Sequence, residues 1–329
     1  MNIMKTLCSC SSELGESSVG GKIANSRPSF SNIGRLPQVS PLHSLQVGAA
    51  KITVISDGTI PLNAPTLISG KDTATLEKLL AKAFLCGEVE TSINVYLIEL
   101  NDRKILVDTG AGELFRQINV GGKLFTRLEH AGLEPQDITD ILITHIHVDH
   151  SGGLTMAGKR MFPNALVHVG KPDVDFFLDP EQAATSAYRP DALPYTFEQA
   201  VLTVKPYAES GQLRPFDKTT EIVPGITASL HPGHTPGSAF YALTSEGQTI
   251  VFVGDIVHIA ALQFAEPEFT IAFDVDPAGA VESRRSAFAE FSRTQVLVAA
   301  PHLPYPGVGH IRPDGDAYAW VPESFMDRE

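Results

Sequence analysis

Residues 144–153 read Thr-His-Ile-His-Val-Asp-His-Ser-Gly-Gly and place four metal-capable side chains, His145, His147, Asp149 and His150, within six positions. Imidazole nitrogens and carboxylate oxygens at that density suit a divalent transition metal. The run follows Asp140-Ile141-Leu142-Ile143-Thr144, whose length and composition fit a buried strand. In an extended chain His145, His147 and Asp149 share one face while His150 points elsewhere, so the segment can serve two adjacent ions. That presentation speaks against a helix, and Gly152-Gly153 predicts a loop. A chance histidine cluster on a surface loop is the plain alternative, and it is set aside because distant donors complete the set.

Two cations need roughly seven to eight protein donors plus water. The rest of the chain offers His234 in His231-Pro-Gly-His234-Thr-Pro-Gly, Asp255 in Val251-Phe-Val-Gly-Asp255, and His302 in Ala300-Pro-His302-Leu-Pro. Each follows a strand-like apolar stretch, at 226–230, 249–253 and 295–300. Ends of several strands are where an α/β scaffold commonly carries its chemistry. A water bridging two such cations is acidified toward hydroxide, since one bound zinc already lowers its pKa to about 7. That hydroxide is the expected nucleophile, with Asp149 placed to hand a proton to the leaving group. No Gly-x-Ser-x-Gly elbow occurs. The donor set suits zinc, and iron, manganese and cobalt also fit.

The order His-x-His-x-Asp-His, then His, Asp and His, resembles the metallo-β-lactamase superfamily of dinuclear metal hydrolases. The resemblance runs from about Gln46 to the C-terminus and includes Leu106-Val-Asp108-Thr-Gly, which is similar to that family's Asp-Thr-Gly motif. It implies a four-layer αββα sandwich. It further implies one metal held by His145, His147 and His234, a second held by Asp149, His150 and His302, and Asp255 bridging both. Asp108 is not expected to be a ligand; it either orients a ligand histidine or caps a turn.

Within the superfamily, His147 departs from the flavodiiron pattern, and Asp149, His150 and bridging Asp255 depart from the antibiotic-degrading β-lactamases. Glyoxalase II shares all seven ligands. The run Ala300-Pro-His302-Leu-Pro-Tyr305-Pro-Gly-Val-Gly-His310-Ile-Arg312 closely resembles the methyl parathion hydrolase group. So do Ile55-Ser-Asp57-Gly-Thr59, Glu90-Thr-Ser92 and Ala260-Ala-Leu-Gln263-Phe264. That group contains phosphotriesterases and hydrolases of lactones and aryl esters. By position, Leu67, Phe115, Phe177, Phe197, His258, Ile271 and Phe273 would line its substrate cleft; for Phe115, Phe177 and Phe197 the alternative is ordinary core. His258, three residues past Asp255, is either a substrate contact or a histidine held beside the metals. In organophosphate-cleaving members the counterparts of Leu67, His258, Ile271 and Phe273 are basic, smaller or more apolar. A narrow aromatic slot suits a flat ester ring better than a tetrahedral phosphotriester. The expected activity is therefore hydrolysis of lactones or aryl esters of the dihydrocoumarin kind. A phosphotriesterase is the same-class alternative. A glyoxalase II-like thioester hydrolase comes behind it, for want of a basic cluster suited to a glutathione carboxylate. A binding protein that has lost catalysis would be expected to lose ligands, and all seven positions are filled.

Several elements must position these residues. Strands are expected at 46–56, 91–100, 104–107, 141–144, 166–169 and 296–299, with a β-rich stretch at 222–253. Helices are expected at 73–84, 173–178, 197–209 and 278–293, and over most of 112–130 with a break at Gly121-Gly122. The site draws on both halves of the chain, so one domain at 46–329 is expected behind a disordered extension at 1–45 rich in Ser, Gly, Asn and Pro. Cys8 and Cys10 read as tail cysteines, and His43 as a solvated leader residue. His130 is expected at a helix end, His168 in a structural role, and His310 shaping the His302 loop.

The 329 residues are 43% hydrophobic with a net charge of −13, which disfavours a nucleic-acid groove or an anionic membrane surface. No uncharged apolar stretch approaches the roughly 20 residues of a membrane span. The leader lacks the apolar core of a secretory signal, so a cytoplasmic location is the default expectation. The expected partner is a small ester or lactone, and the family implies a homodimer.

Overall fold

A computed structural model describes residues 42–326 except 116–117, 189 and 191–193. Cys8 and Cys10 lie outside the described residues. Two seven-stranded sheets face each other. The first runs Leu42–Val47, Ala50–Asn63, Glu88–Leu100, Arg103–Val107, Asp140–Leu142, Leu166–Gly170 and Leu213–Phe216 in spatial order. The second runs Thr220–Val223, Ile226–Leu230, Ala239–Ser245, Gln248–Phe252, Leu297–Ala299, Val308–Asp314 and Ala317–Pro322.

Side-chain alternation builds the layers. In Arg103–Val107, Ile105 and Val107 point into the space between the sheets, while Leu106 points outward to the helices. Gln248–Phe252 does the same, with Ile250 and Phe252 inside and Val251 against the helix Pro277–Thr294. A one-residue slip would exchange these faces, so burial on both sides fixes register. The outer helices Leu124–His130 and Thr196–Glu209 cover the first sheet through Leu124, Leu128, Ala200 and Val204. Phe288 and Phe291 of Pro277–Thr294 cover the second. This is the expected four-layer αββα sandwich.

Local chemistry sets the ends of these elements. Asp72 caps the helix Thr73–Lys82 by accepting from Thr75 N, and Asp276 caps Pro277–Thr294 by accepting from Gly279 N. Each such cap satisfies a backbone N–H that the first helical turn leaves without a partner. The hairpin Glu88–Leu100 to Arg103–Val107 turns at Asn101 and Asp102, as expected, with Asn101 at φ 55°.

Three expectations are corrected. The first strand begins at Leu42, so His43 is a half-buried strand residue paired with Val54 rather than a solvated leader residue. Of 112–130, only Leu124–His130 is an α-helix. Backbone N–H groups before and at the start of that helix, from Ala111, Gly122, Lys123 and Leu124, instead converge on the buried carboxylate of Asp57 at 2.7–2.9 Å. Finally, the metal motif is not extended throughout: Val148–Ser151 is a helical turn with His147 as its N-cap.

Parallel pairing brings the chemistry to one edge. Ile105, Leu106 and Val107 pair in parallel with Asp140, Ile141 and Leu142, so Asp108 and the metal motif leave the sheet side by side. In the second sheet Ile250, Val251 and Phe252 pair in parallel with Leu297, Val298 and Ala299, which sends Asp255 and His302 out together.

Candidate metal centre

His145 and His147 lie in the irregular segment after the strand Asp140–Leu142, while Asp149 and His150 sit on the helical turn that follows. Gly152 and Gly153 then pass so close to the backbone of Ala111 and Thr109 that a Cβ at either would collide with a carbonyl oxygen. The glycines thus let the turn pack under the loop that starts at Asp108. His234, Asp255 and His302 arrive from the loops after Ile226–Leu230, Gln248–Phe252 and Leu297–Ala299. All seven predicted donors are brought together, and six are buried; Asp149 is the partly open one, with 13% of its side chain exposed.

Three ring nitrogens meet on one side. His145 Nε2 lies 3.0 Å from His147 Nδ1, which lies 3.1 Å from His234 Nε2. On the other side His150 Nε2 and His302 Nε2 lie 3.6 and 3.4 Å from Asp149 Oδ2. Asp255 stands between the groups. Its Oδ2 is 3.7 Å from His145 Nε2, 3.4 Å from His234 Nε2 and 3.1 Å from His302 Nε2, and its Oδ1 is 3.2 Å from His150 Nε2.

The opposite nitrogen of each of these five histidines is held by a partner, which fixes the ring and its tautomer. His150 Nδ1 donates to Asp108 Oδ2 at 2.9 Å. Asp108 also accepts from Thr144 N and Thr144 Oγ1, so it orients a histidine rather than merely closing a turn. Having donated to Asp108, the Thr144 hydroxyl accepts from His145 Nδ1 at 3.1 Å. His234 Nδ1 donates to Asp274 Oδ1 at 2.8 Å, and His302 Nδ1 to the Ser92 carbonyl at 2.8 Å. The Tyr188 hydroxyl donates to the Phe273 carbonyl at 2.9 Å and accepts from His147 Nε2 at 3.0 Å.

With those tautomers, three bare nitrogen lone pairs face one another about 3 Å apart. His150 Nε2 and Asp255 Oδ1 are buried without a hydrogen-bond partner. Converging, unpartnered acceptors are what a cation would satisfy, so the residues present fit divalent metals. Four three-donor groups have their ligand atoms within 4.8 Å of one another: His145, His147, His234; His145, His150, Asp255; Asp149, His150, His302; and His234, Asp255, His258.

The electrostatics agree. Burial, reinforced by neighbouring imidazoles, holds His145 and His147 well below the ordinary histidine range, which keeps them neutral. Burial opposes charge on His150 and His302 too, but Asp255 and Asp149 raise both above the ordinary range, with Asp108 adding to the effect on His150. Burial also works against Asp255, yet His150, His302, His258 and His145 hold it well below the usual carboxylate range.

A narrow slot opens onto the donors. Phe115, Phe273 and His258 line it, together with Ile60 and Leu62, and His147, Asp149, Asp255 and His302 form its floor. The other predicted cleft residues lie behind it. Phe177 and Phe197 are core: Phe177 meets the His147 ring edge-on at 5.7 Å, and Phe197 packs on Phe177 at 5.6 Å. Leu67 and Ile271 are buried in the cluster that supports Phe273.

Several supports were not foreseen from sequence. Ile60 and Leu62 lie on a long strand whose alternation marked a face without marking what the face met. Asp274 is an acid beside Phe273 and could have been noticed; Tyr188 carries no local pattern. Asp173 Oδ2 accepts from Ile146 N at 2.8 Å and from Thr235 Oγ1 at 2.9 Å, tying the motif loop to the His234 loop. Arg284, fully buried, donates to the carbonyls of Ile256, Pro267 and Phe269 at 2.6–2.8 Å and pins the segment after Asp255.

The metallo-beta-lactamase superfamily model matches residues 89–302, and the chain belongs to that superfamily. A crystal structure of the hydrolase AbOPH in the beta lactamase superfamily superposes with a TM-score of 0.82 at 36% identity, covering 88% of this chain and 100% of that one. AidC, a dizinc quorum-quenching lactonase in complex with a product, superposes with a TM-score of 0.79 at 28% identity, covering 88% of this chain and 99% of that one. An N-acyl homoserine lactonase of Bacillus cereus is 23% identical over 175 residues, 48% of this chain. This chain spans 60% of that lactonase's length.

Proposed function

We propose that this chain is a dinuclear metal-dependent hydrolase of lactones and aryl esters, of the methyl parathion hydrolase-like group. One observation carries the reading: six donors flank a shared carboxylate, Asp255, and His147, Asp149, Asp255 and His302 of this set form the floor of an apolar slot walled by Phe115, Phe273, Ile60 and Leu62. The similarity to AidC and to the Bacillus lactonase supports lactones as the substrate class.

His145, His147 and His234 would hold one cation and Asp149, His150 and His302 the other, with Asp255 between them. Such a pair acidifies bound water and polarises an ester carbonyl. The chain's own residues do the rest. The carboxyl of Asp149, the donor most open to the slot, is placed to hold a proton for the leaving oxygen. Phe115 and Phe273 sort substrates by thickness and keep water from the bound ester. Asp108, Asp274, Tyr188 and the Ser92 carbonyl keep the imidazoles turned inward before substrate arrives.

Steady-state turnover of metal-replete protein on dihydrocoumarin, N-hexanoyl homoserine lactone, phenyl acetate and methyl parathion tests this. The expected result is a lactone or aryl ester well ahead, with turnover abolished in Asp255→Ala. Methyl parathion ahead of all three would replace the reading with a phosphotriesterase, and activity intact in Asp255→Ala would remove the metal assignment.

A further inference from the structure

His258 is 2% exposed and stands among His234, His302 and Phe273, at ring-centroid distances of 5.0, 5.2 and 6.4 Å. It differs from the five histidines described above. Each of those has one nitrogen turned to the centre and the other held by a hydrogen bond, whereas both nitrogens of His258 lack a hydrogen-bond partner. Its Nε2 lies 3.0 Å from Asp255 Oδ2, within reach but not aligned as a hydrogen bond. The same oxygen has His302 Nε2 at 3.1 Å and His234 Nε2 at 3.4 Å.

The backbone, not the ring, holds this residue in place. The N–H groups of His258 and Ile259 both donate to Gln263 Oε1, at 2.7 and 3.2 Å, and Gln263 Nε2 donates to the Phe269 carbonyl at 3.2 Å. Arg284 fixes the Ile256 carbonyl just before it. A rigid loop therefore presents a buried imidazole whose Nε2 meets only the Asp255 carboxylate, without hydrogen-bond alignment, an approach that a cation shared between the two would satisfy. His258 also shares a three-donor group with His234 and Asp255, whose ligand atoms lie within the same 4.8 Å of one another as those of the other three.

We propose that His258, through Nε2, is an eighth protein donor of the metal centre, completing a position shared with His234 and Asp255. This rests on the dinuclear reading above and adds to it a ligand beyond the seven of the motif. An imidazole at that position would shield Asp255 from losing its cation and would narrow the coordination left open on the slot side.

The test uses the cobalt-loaded full chain. In its proton NMR spectrum each coordinated histidine gives one hyperfine-shifted, exchangeable ring N–H. In protein carrying two cobalt ions per chain six such signals are expected, from His145, His147, His150, His234, His258 and His302; five or fewer at that loading would overturn the proposal. In His258→Phe, which keeps a ring beside His302, the visible cobalt band should shift and a chelator should strip cobalt about tenfold faster. An unchanged band and an unchanged stripping rate would overturn it, and would leave His258 a slot-lining residue. The cobalt count of the wild type separately tests the dinuclear reading: two per chain supports it, and one would contradict that reading, with the His258→Phe comparison then deciding His258.

Discussion

Asp173 accepts a hydrogen bond from the backbone N–H of Ile146, at 2.8 Å, between the two histidines that open the metal motif. The same carboxylate accepts from Thr235 Oγ1 and Gly237 N beside His234, so one buried side chain sets the spacing of His145, His147 and His234. Burial pushes its pKa up to about 6, against these hydrogen bonds, which pull it down. Asp173→Asn puts an amide N–H against one of the donors. Loss of about 1–3 kcal/mol of stability is expected, read from denaturant unfolding of metal-loaded protein. A midpoint equal to that of the wild type would contradict the role assigned to Asp173.

Asp108 positions His150 without being a donor itself. Asp108→Asn should lower metal affinity about 10–100-fold, as other hydrogen-bond partners of metal-ligating histidines do, and by weakening retention of one ion more than the other. Competition against a chromophoric chelator measures this. Equal affinity in the two proteins would make Asp108 a turn residue only.

The slot should set selectivity by shape. Phe273→Leu removes an aromatic wall while leaving an apolar one, and Phe273 supplies only its backbone carbonyl to Tyr188. The ratio of methyl parathion to dihydrocoumarin turnover should rise by about tenfold, in keeping with the roughly 1–3 kcal/mol that pocket-shape changes carry. A ratio that stays put or falls would mean that Phe273 does not limit bulkier substrates.

Acid sensitivity has an identifiable contributor away from the donors. His231 stacks on Phe240 with ring centroids 3.7 Å apart, and burial pushes its pKa down from 6.5 to about 4. The unfolded chain takes up that proton near 6.5 while the folded chain resists until about 4, so stability falls as pH drops through this window and is retained above it. In chelator-treated protein, His231→Phe should flatten the Tm profile between those pH values. An identical slope in both proteins would assign the acid loss to other groups.

Much of this site was legible because its chemistry is local. His145, His147, Asp149 and His150 lie in one short run, and His234, Asp255 and His302 each follow an apolar strand within four residues. What was missed depends on partners distant in the chain. Tyr188 meets His147 across 41 positions and Ser92 meets His302 across 210, and no spacing rule carries such pairs. The extended presentation of the motif failed because period-two alternation over six residues cannot be told from a helical turn. The helix expected from 112 failed for another reason: Gly112, Gly121 and Gly122 take positive φ, and the N–H groups around them serve Asp57. For the slot, apolar type alone could not separate Phe115 and Phe273 at its surface from Phe177 and Phe197 one layer behind.

The central claim is that two cations act together on a small ester. Metal-free protein titrated with zinc, with dihydrocoumarin turnover followed at each addition, tests it most directly. The account predicts that turnover rises until two equivalents are bound per chain and vanishes again with chelator. Full turnover at one equivalent, or turnover that survives complete metal removal, would contradict it.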